Sequence, residues 1–287
     1  MILQPKFELS YPAFARGLRY VSAGAVGMAL SAGLDFSGHV YAADLPSPMQ
    51  SEMASESGFE VSIEPLYLWL PGMNGTIGAL GQSVDIDLAP IDILSNLGDF
   101  LDVLDGLYMG SGQVRYGSFG FIYDVFYLDV SSTAEIDRAV LNGSLDVAFS
   151  QVMATLLGSY RAFENDTAHL DLLGGVRINH ISMDIDVNLG GGFELSDGAS
   201  WVDPMFGAKG RMDLNQNWYA KGTALIGGFG VSSNFVWDAS VNVGYQWNNW
   251  LDLYAGFRGA GTDYRSGSFI WDVTQYGPVM GATINLN

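Results

Sequence analysis

The residues of this sequence best equipped for chemistry are acids and bases set at alternate positions within otherwise apolar runs. WLDLYAGFRGAG, residues 250–261, is the plainest case: Leu251, Leu253, Ala255 and Phe257 share one parity, and Asp252, Tyr254, Gly256 and Arg258 share the other. Period-two alternation marks a strand with two unlike faces. Read through the chain, this pattern puts Arg115, Asp124, Asp171, Arg177, Asp203, Lys209, Arg211, Lys221, Asp238, Asp252 and Arg258, together with Asp272, on one inner face. Opposite charges enclosed in a medium of low dielectric are costly unless paired. Salt bridges across an interior are therefore expected.

The other parity carries Phe119, Phe121, Tyr123, Val125, Leu170, Leu172, Val176, Ile178, Phe206, Ile226, Val241, Val243, Leu253 and Phe257, and almost no charge. A lipid-facing charge costs roughly 2–4 kcal/mol at the bilayer midplane, so a charge-free outer face and a charged inner one point to a barrel in a membrane. Trp218, Trp247 and Trp250 fall at one set of strand ends, and Trp237 and Trp271 toward the other. Amphipathic rings favour headgroup depth, and these five are read as two aromatic girdles.

Strand-like segments must position these residues. They run near 59–70, 106–116, 119–130, 146–162, 168–187, 200–213, 217–229, 234–247, 249–261 and 270–286. Most exceed the soluble mean of about five or six residues and reach the roughly 9–11 that cross a bilayer at a tilt. Short polar connections at 116–118, 163–167, 213–217 and 248–249 alternate with longer ones at 71–105, 131–145, 188–199 and 262–269, and only the 230–233 link breaks the series. That alternation belongs to an antiparallel up-and-down barrel, and an even strand count returns both chain ends to one side. Ten strands is the reading, with eight and twelve as alternatives. Within the first long connection, Ile91, Leu94, Leu97 and Leu101 recur at helical spacing. A short helix over 90–104 is expected, its apolar stripe covering the barrel mouth.

Composition agrees. The chain has 287 residues, 37 glycines, no cysteine, 15% charged residues and a mean hydropathy of +0.18. Its net charge of −19 argues against nucleic acid as a partner. Lys6, Arg16 and Arg19 precede the small apolar stretch VSAGAVGMALSAGL, and Val40-x-Ala42 follows. This reads as a secretory signal peptide over 1–42, then a flexible leader over 43–57, with the barrel over 58–287. No motif for a cofactor emerges. The acids Asp85, Asp87, Asp92, Asp99, Asp102 and Asp105 lack the glycine turn and closing glutamate of a calcium loop, and GGVRINH is no phosphate loop.

The segments PMFGAKGRMDLNQNWYAKGTALIGGFGVSSNFVWDASVNVGYQWNNWLDLYAGFRGAGTDY and GPVMGATINL, with YLWLPGMNGTIG and QVRYGSFGFIYDVFYLDV, resemble small outer-membrane barrels of Gram-negative bacteria. These form the outer-membrane-protein-A transmembrane-like and opacity-protein-like group. The resemblance implies residence in the cell outer membrane, contact with its lipid, and insertion by the barrel assembly machinery. It also implies a structural or surface-interaction role through acidic extracellular loops toward an extracellular or host ligand that the sequence does not name. A narrow or gated solute channel is the alternative, and a lipid-modifying enzyme the third reading. For that enzyme the only specific residues are His180 and Ser182 in NHISMD, similar to the pair in lipid A deacylases, with Asp184 as acidic partner. A protease of the omptin kind would need Asp and His groups converging at the extracellular mouth, and His169 lies near a short turn instead. The group usually closes on an aromatic residue. Leu286 stands there, followed by Asn287.

Overall fold

The computed structural model describes residues 58–79, 81–138, 141–188 and 193–286; the expected signal peptide and leader lie outside them. The wall starts with β1 (Phe59–Glu64), β2 (Tyr67–Trp69) and β3 (Gly72–Ala79), and a β4 strand (Gln82–Leu88) turns back along β3. Two helices follow, α1 (Pro90–Ser95) and α2 (Leu97–Asp102). The chain then meanders through β5 (Leu104–Tyr116), β6 (Phe119–Arg138), β7 (Leu141–Glu164), β8 (Ala168–Asn188) and β9 (Phe193–Asp213). It closes with β10 (Trp218–Gly227), β11 (Phe235–Asn248), β12 (Leu251–Ser266) and β13 (Phe269–Asn285).

Every neighbouring pair is antiparallel, and β13 returns to the start of the chain: Asn285 faces Ser62 of β1, Val279 faces Trp69 of β2 and Ile270 faces Gly78 of β3. β1, β2 and β3 thus act as one interrupted wall strand, and the structure is a closed barrel of ten strands. The interruptions fall at Pro65 and Pro71, whose ring nitrogens cannot donate to a ladder. Between them the chain presses close against β13. A Cβ built on Gly277 would stand 1.9 Å from the Leu70 carbonyl oxygen, so only glycine admits this approach. Closure leaves few unpaired edges, the condition for a sheet in lipid. One stretch escapes it: β1 pairs with Ser111–Tyr116 of β5, whereas Leu104–Gly110 pair with β6 alone.

Both described chain ends and the turns 117–118, 165–167, 214–217 and 249–250 lie at one end of the barrel. At the opposite end the long connections expected at 131–145, 188–199 and 262–269 are mostly not loops. β6 continues to Arg138, β7 starts at Leu141, β9 starts at Phe193, and β12 runs to Ser266. The physical reason is that a ladder beyond the bilayer has water on both faces, so it needs no apolar alternation. Polar cross-strand pairs sustain it instead, such as Thr133 to Asp146 at 2.6 Å. A loop of 228–234 joins β10 and β11, turning through positive φ at Gly228, Phe229 and Gly230.

The outward face carries the test of a bilayer. On β12 the outward positions from the short-turn end are Leu251, Leu253, Ala255, Phe257, Gly259 and Gly261, and the first charge is Asp263. At about 3.4 Å per residue and a tilt near 40°, that uncharged run spans about 25 Å, the height of a barrel's apolar band. Phe121, Leu172, Phe206, Ile226, Val241 and Phe257 are all exposed on this belt, Val241 at 70%. In water so continuous an apolar girdle would be an aggregation surface. No described helix is long and apolar enough to cross a membrane, so strands do the crossing.

Two sequence readings are corrected here. The helix over 90–104 is two short helices broken at Asn96, and Ile91, Leu94, Leu97 and Leu101 are all exposed, so they do not plug the mouth. The mouth is filled instead from the wall itself. Ile77, Ile181, Trp201, Tyr264, Phe269, Trp271 and Val273 form one inward cluster, with Trp201 stacked on Tyr264 at 4.0 Å between centroids. On β13 the two expected faces are exchanged for neighbours: Trp271 is buried inside, stacked on Phe149 at 6.0 Å, while Asp272 points outward to Arg265. Asp272 shares its parity with the lipid-facing Met280 and lies past the apolar band, where a charge meets water. Trp218, Trp247 and Trp250 are exposed at the short-turn rim, and Trp237 lies outward across Gly261.

Candidate functional site

Alternation along each strand aims one residue in two into the lumen, and eleven of the twelve charged residues read as inward point there, Asp272 being the exception. Nine of them enter ion pairs. Arg258 is the hub. From β12 it reaches Asp124 on β6 at 2.8 Å and Asp238 on β11 at 2.8 Å, and it donates to the Tyr67 hydroxyl of β2 at 2.8 Å. Tyr67 in turn donates to Asp124 at 3.0 Å, and the guanidinium lies 5.0 Å over the Trp69 ring. Asp238 also receives Arg177 at 2.6 Å, while Arg177 Nε donates to Thr155 at 2.9 Å. These bonds cross the lumen from wall to wall. They are possible because Arg177 and Asp238 are enclosed, so each charge finds its solvation in another side chain.

Nearer the short-turn end lie three smaller groups. Arg115 holds Asp171 at 3.3 Å and Glu60 at 3.4 Å, and Arg161 also engages Asp171 and Glu164. Arg211 meets Asp252 at 3.1 Å and lies 3.6 Å over the Tyr219 ring. Lys221 pairs with Glu64 at 2.8 Å and lies 3.5 Å over the Tyr254 ring. Glu64 collects further donors, the hydroxyls of Tyr254 at 2.7 Å, Thr283 at 2.8 Å and Ser111 at 3.0 Å. Glu64 escaped the sequence reading because β1 is only six residues long and FEVSIE was not split by face. Its parity with Glu60 is the signal that could have found it.

Two of the eleven stand outside the ion pairs. Asp203 is fully buried, but its partners are neutral: it accepts from Trp201 Nε1 at 3.0 Å, Ser233 N at 2.8 Å and Ser233 Oγ at 2.6 Å. It therefore pins the 228–234 loop into the wall. Arg177 is its register partner on β8 but turns away to Asp238. Lys209 donates to Gln113 Oε1 at 2.9 Å and has no ion pair among the described residues. Neither fact is visible in one-dimensional spacing, because partner choice depends on which strands face each other across the lumen.

Apolar groups fill what charge does not. Tyr67, Trp69, Met109, Phe126 and Met153 pack on the first-strand side, and Leu157, Leu173, Met205, Leu225 and Val236 on the opposite one. Gln151 and Gln275 exchange two hydrogen bonds at 3.1 and 3.0 Å. A cavity of about 140 Å³ remains, lined in part by Glu64, Asp124, Arg177, Lys209, Lys221, Asp238 and Arg258.

The histidines do not converge. His180 faces outward on β8, and its Nδ1 lies 2.7 Å from Ser200 Oγ of β9. Ser182 instead donates to Asp184 at 3.2 Å, so the His180–Ser182–Asp184 relay that the lipid-modifying reading needs is split into two separate pairs. His169 lies at the short-turn end of the same strand, with its neighbour Arg211 across the ladder.

No family model and no curated protein matches this chain. Among solved structures, the outer membrane protease OmpT from Escherichia coli is similar at 9% identity over 79% of this chain and 96% of its own, with a TM-score of 0.47. Ail, the attachment invasion locus protein of Yersinia pestis, is similar at 12% identity over 79% and 97%, with a TM-score of 0.31. The translocator domain of autotransporter NalP from Neisseria meningitidis is similar at 13% identity over 82% and 90%, with a TM-score of 0.35. The closed ladder, the charge-free outer belt and the polar lumen together make this chain a membrane-spanning antiparallel β-barrel.

Proposed function

We propose that the protein is a sealed outer-membrane scaffold that presents its extended hairpins to a partner outside the cell. The supporting observation is the cross-lumen bridge of Arg258 to Asp124, Asp238 and Tyr67, with the Trp201–Tyr264 stack and Trp271 forming a second barrier toward the far end. A barrel of this size is nearly closed by its own side chains. Here the side chains are also tied to one another, so the barrel works as a rigid post. In this orientation the short turns face the periplasm and the β6–β9 extensions face outward, where loops and tips tolerate variation and carry recognition. The lipid-modifying reading is weakened at its only specific residues: His180 has Ser200 as its one side-chain hydrogen-bonding partner among the described residues, with no carboxylate to orient it.

Planar bilayers test the seal. The folded wild type is expected to give no unitary current, whereas Arg258→Ala combined with Trp271→Ala should give brief openings. Regular steps from the wild type, altered by neutralising Arg177 or Arg211, would establish the channel reading in its place. Trimming the β6–β7 hairpin to the membrane level should leave the barrel folded and abolish binding of expressing cells to their target surface.

A further inference from the structure

The lumen cavity is not balanced in charge. Its lining contains four cations, Arg177, Lys209, Lys221 and Arg258, and three carboxylates, Glu64, Asp124 and Asp238. Three of the four cations are spoken for. Lys221 is held by Glu64, and Arg258 and Arg177 share Asp238, with Asp124 completing Arg258. Lys209 is left with one neutral acceptor, Gln113 Oε1. A second observation points into the same space: Arg177 is fully buried, lines this cavity, and its Nη1 meets no acceptor among the described residues. A buried donor left without an acceptor and a half-buried ammonium without an ion pair are each costly, and one small anion relieves both.

We propose that this cavity binds a small inorganic oxyanion, held by Lys209 with Arg177 Nη1 as the second donor. The cavity of about 140 Å³ admits a group the size of phosphate. The remaining lining suits the assignment. Thr155, Thr223 and Ser240 offer hydroxyl donors, and Leu157, Leu173 and Leu225 keep the local dielectric low, which strengthens charge-assisted bonds. Asp171 is the ladder neighbour of Lys209 but is taken up by Arg115 and Arg161, so the anion supplies the ion pair that Lys209 lacks.

The test uses the full chain folded in detergent micelles, with inorganic phosphate added at constant ionic strength against sodium gluconate, whose anion is organic and singly charged. Phosphate should raise the unfolding temperature of the wild type in a saturable way. Lys209→Gln should weaken the half-saturating concentration by about tenfold or more, the loss of one charge-assisted bond. Gln113→Glu is the second variant: it keeps Lys209 and places a carboxylate beside it. It should unfold at higher temperature without phosphate and lose the phosphate response. Arg265→Gln, at the exposed far end of β12, should respond as the wild type does. No saturable rise in the wild type would overturn the proposal, as would an undiminished rise in either lumen variant or a loss in Arg265→Gln.

Discussion

At the scale of single residues, the lumen divides charges that hold the barrel shut from charges that hold a loop down. Arg258 belongs to the first kind. Arg258→Met removes the shared partner of Asp124 and Asp238 and leaves carboxylates in an enclosed site, which should cost about 3–5 kcal/mol in reversible unfolding from lipid vesicles. Replacing Arg258 together with Asp124 by apolar groups of similar volume, with Asp238 left to Arg177, should recover most of that loss, because a buried ion pair is no more stable than a well-packed apolar substitute. Asp203 belongs to the second kind. Asp203→Asn keeps the shape but turns one acceptor oxygen into a donor facing the Trp201 Nε1–H or the Ser233 donors. The expected cost is about 1–3 kcal/mol, with new proteolytic cutting near Phe229 in the released loop. Unchanged cutting would show that the loop is held by something other than Asp203.

At the scale of elements, each strand is read correctly where its two faces meet different solvents, and misread where they do not. Within the bilayer the faces differ, so period two is plain. Val243 lies on the outer face of β11 between the Trp247 and Trp237 levels and is exposed. Val243→Arg should cost roughly 2–4 kcal/mol in vesicle unfolding, and a cost near zero would remove Val243 from the lipid belt. Beyond the bilayer both faces are wet, and SSTAEID and its neighbours looked like loop while forming ladders. The two short helices repeat the lesson in another form. Their apolar stripe is periodic, but periodicity says that residues share a face and leaves open what the face touches. Since Leu94 and Leu101 are exposed, Leu94→Ala and Leu101→Ala should change stability by no more than about 0.5 kcal/mol in detergent. A loss of several kcal/mol would bring back the buried cap.

At the scale of the whole molecule, closure depends on a first wall strand made of three pieces. Pro65 and Pro71 break its ladder, so β5 has a strand partner on that side only over Ser111–Tyr116. Amides of Leu104–Gly110 that point away from β6 should therefore exchange with solvent deuterium faster than those of Ser111–Tyr116, and equal protection would mean the seam is closed by something else. The sequence by itself determined the antiparallel barrel, its ten strands, the two faces of nearly every crossing segment and most of the inward charges, Glu64 missed and Asp272 misplaced. It could do so because a bilayer imposes one rule on every outward position, and a rule applied residue by residue leaves a one-dimensional trace. Only the tertiary structure decided who pairs with whom. Arg177 chose Asp238 over its ladder neighbour Asp203, Trp271 went in while Asp272 went out, and Lys209 was left without a carboxylate. Those outcomes depend on the stagger with which distant strands face each other across the lumen, and stagger is set by closing the sheet, which no local stretch of chain encodes.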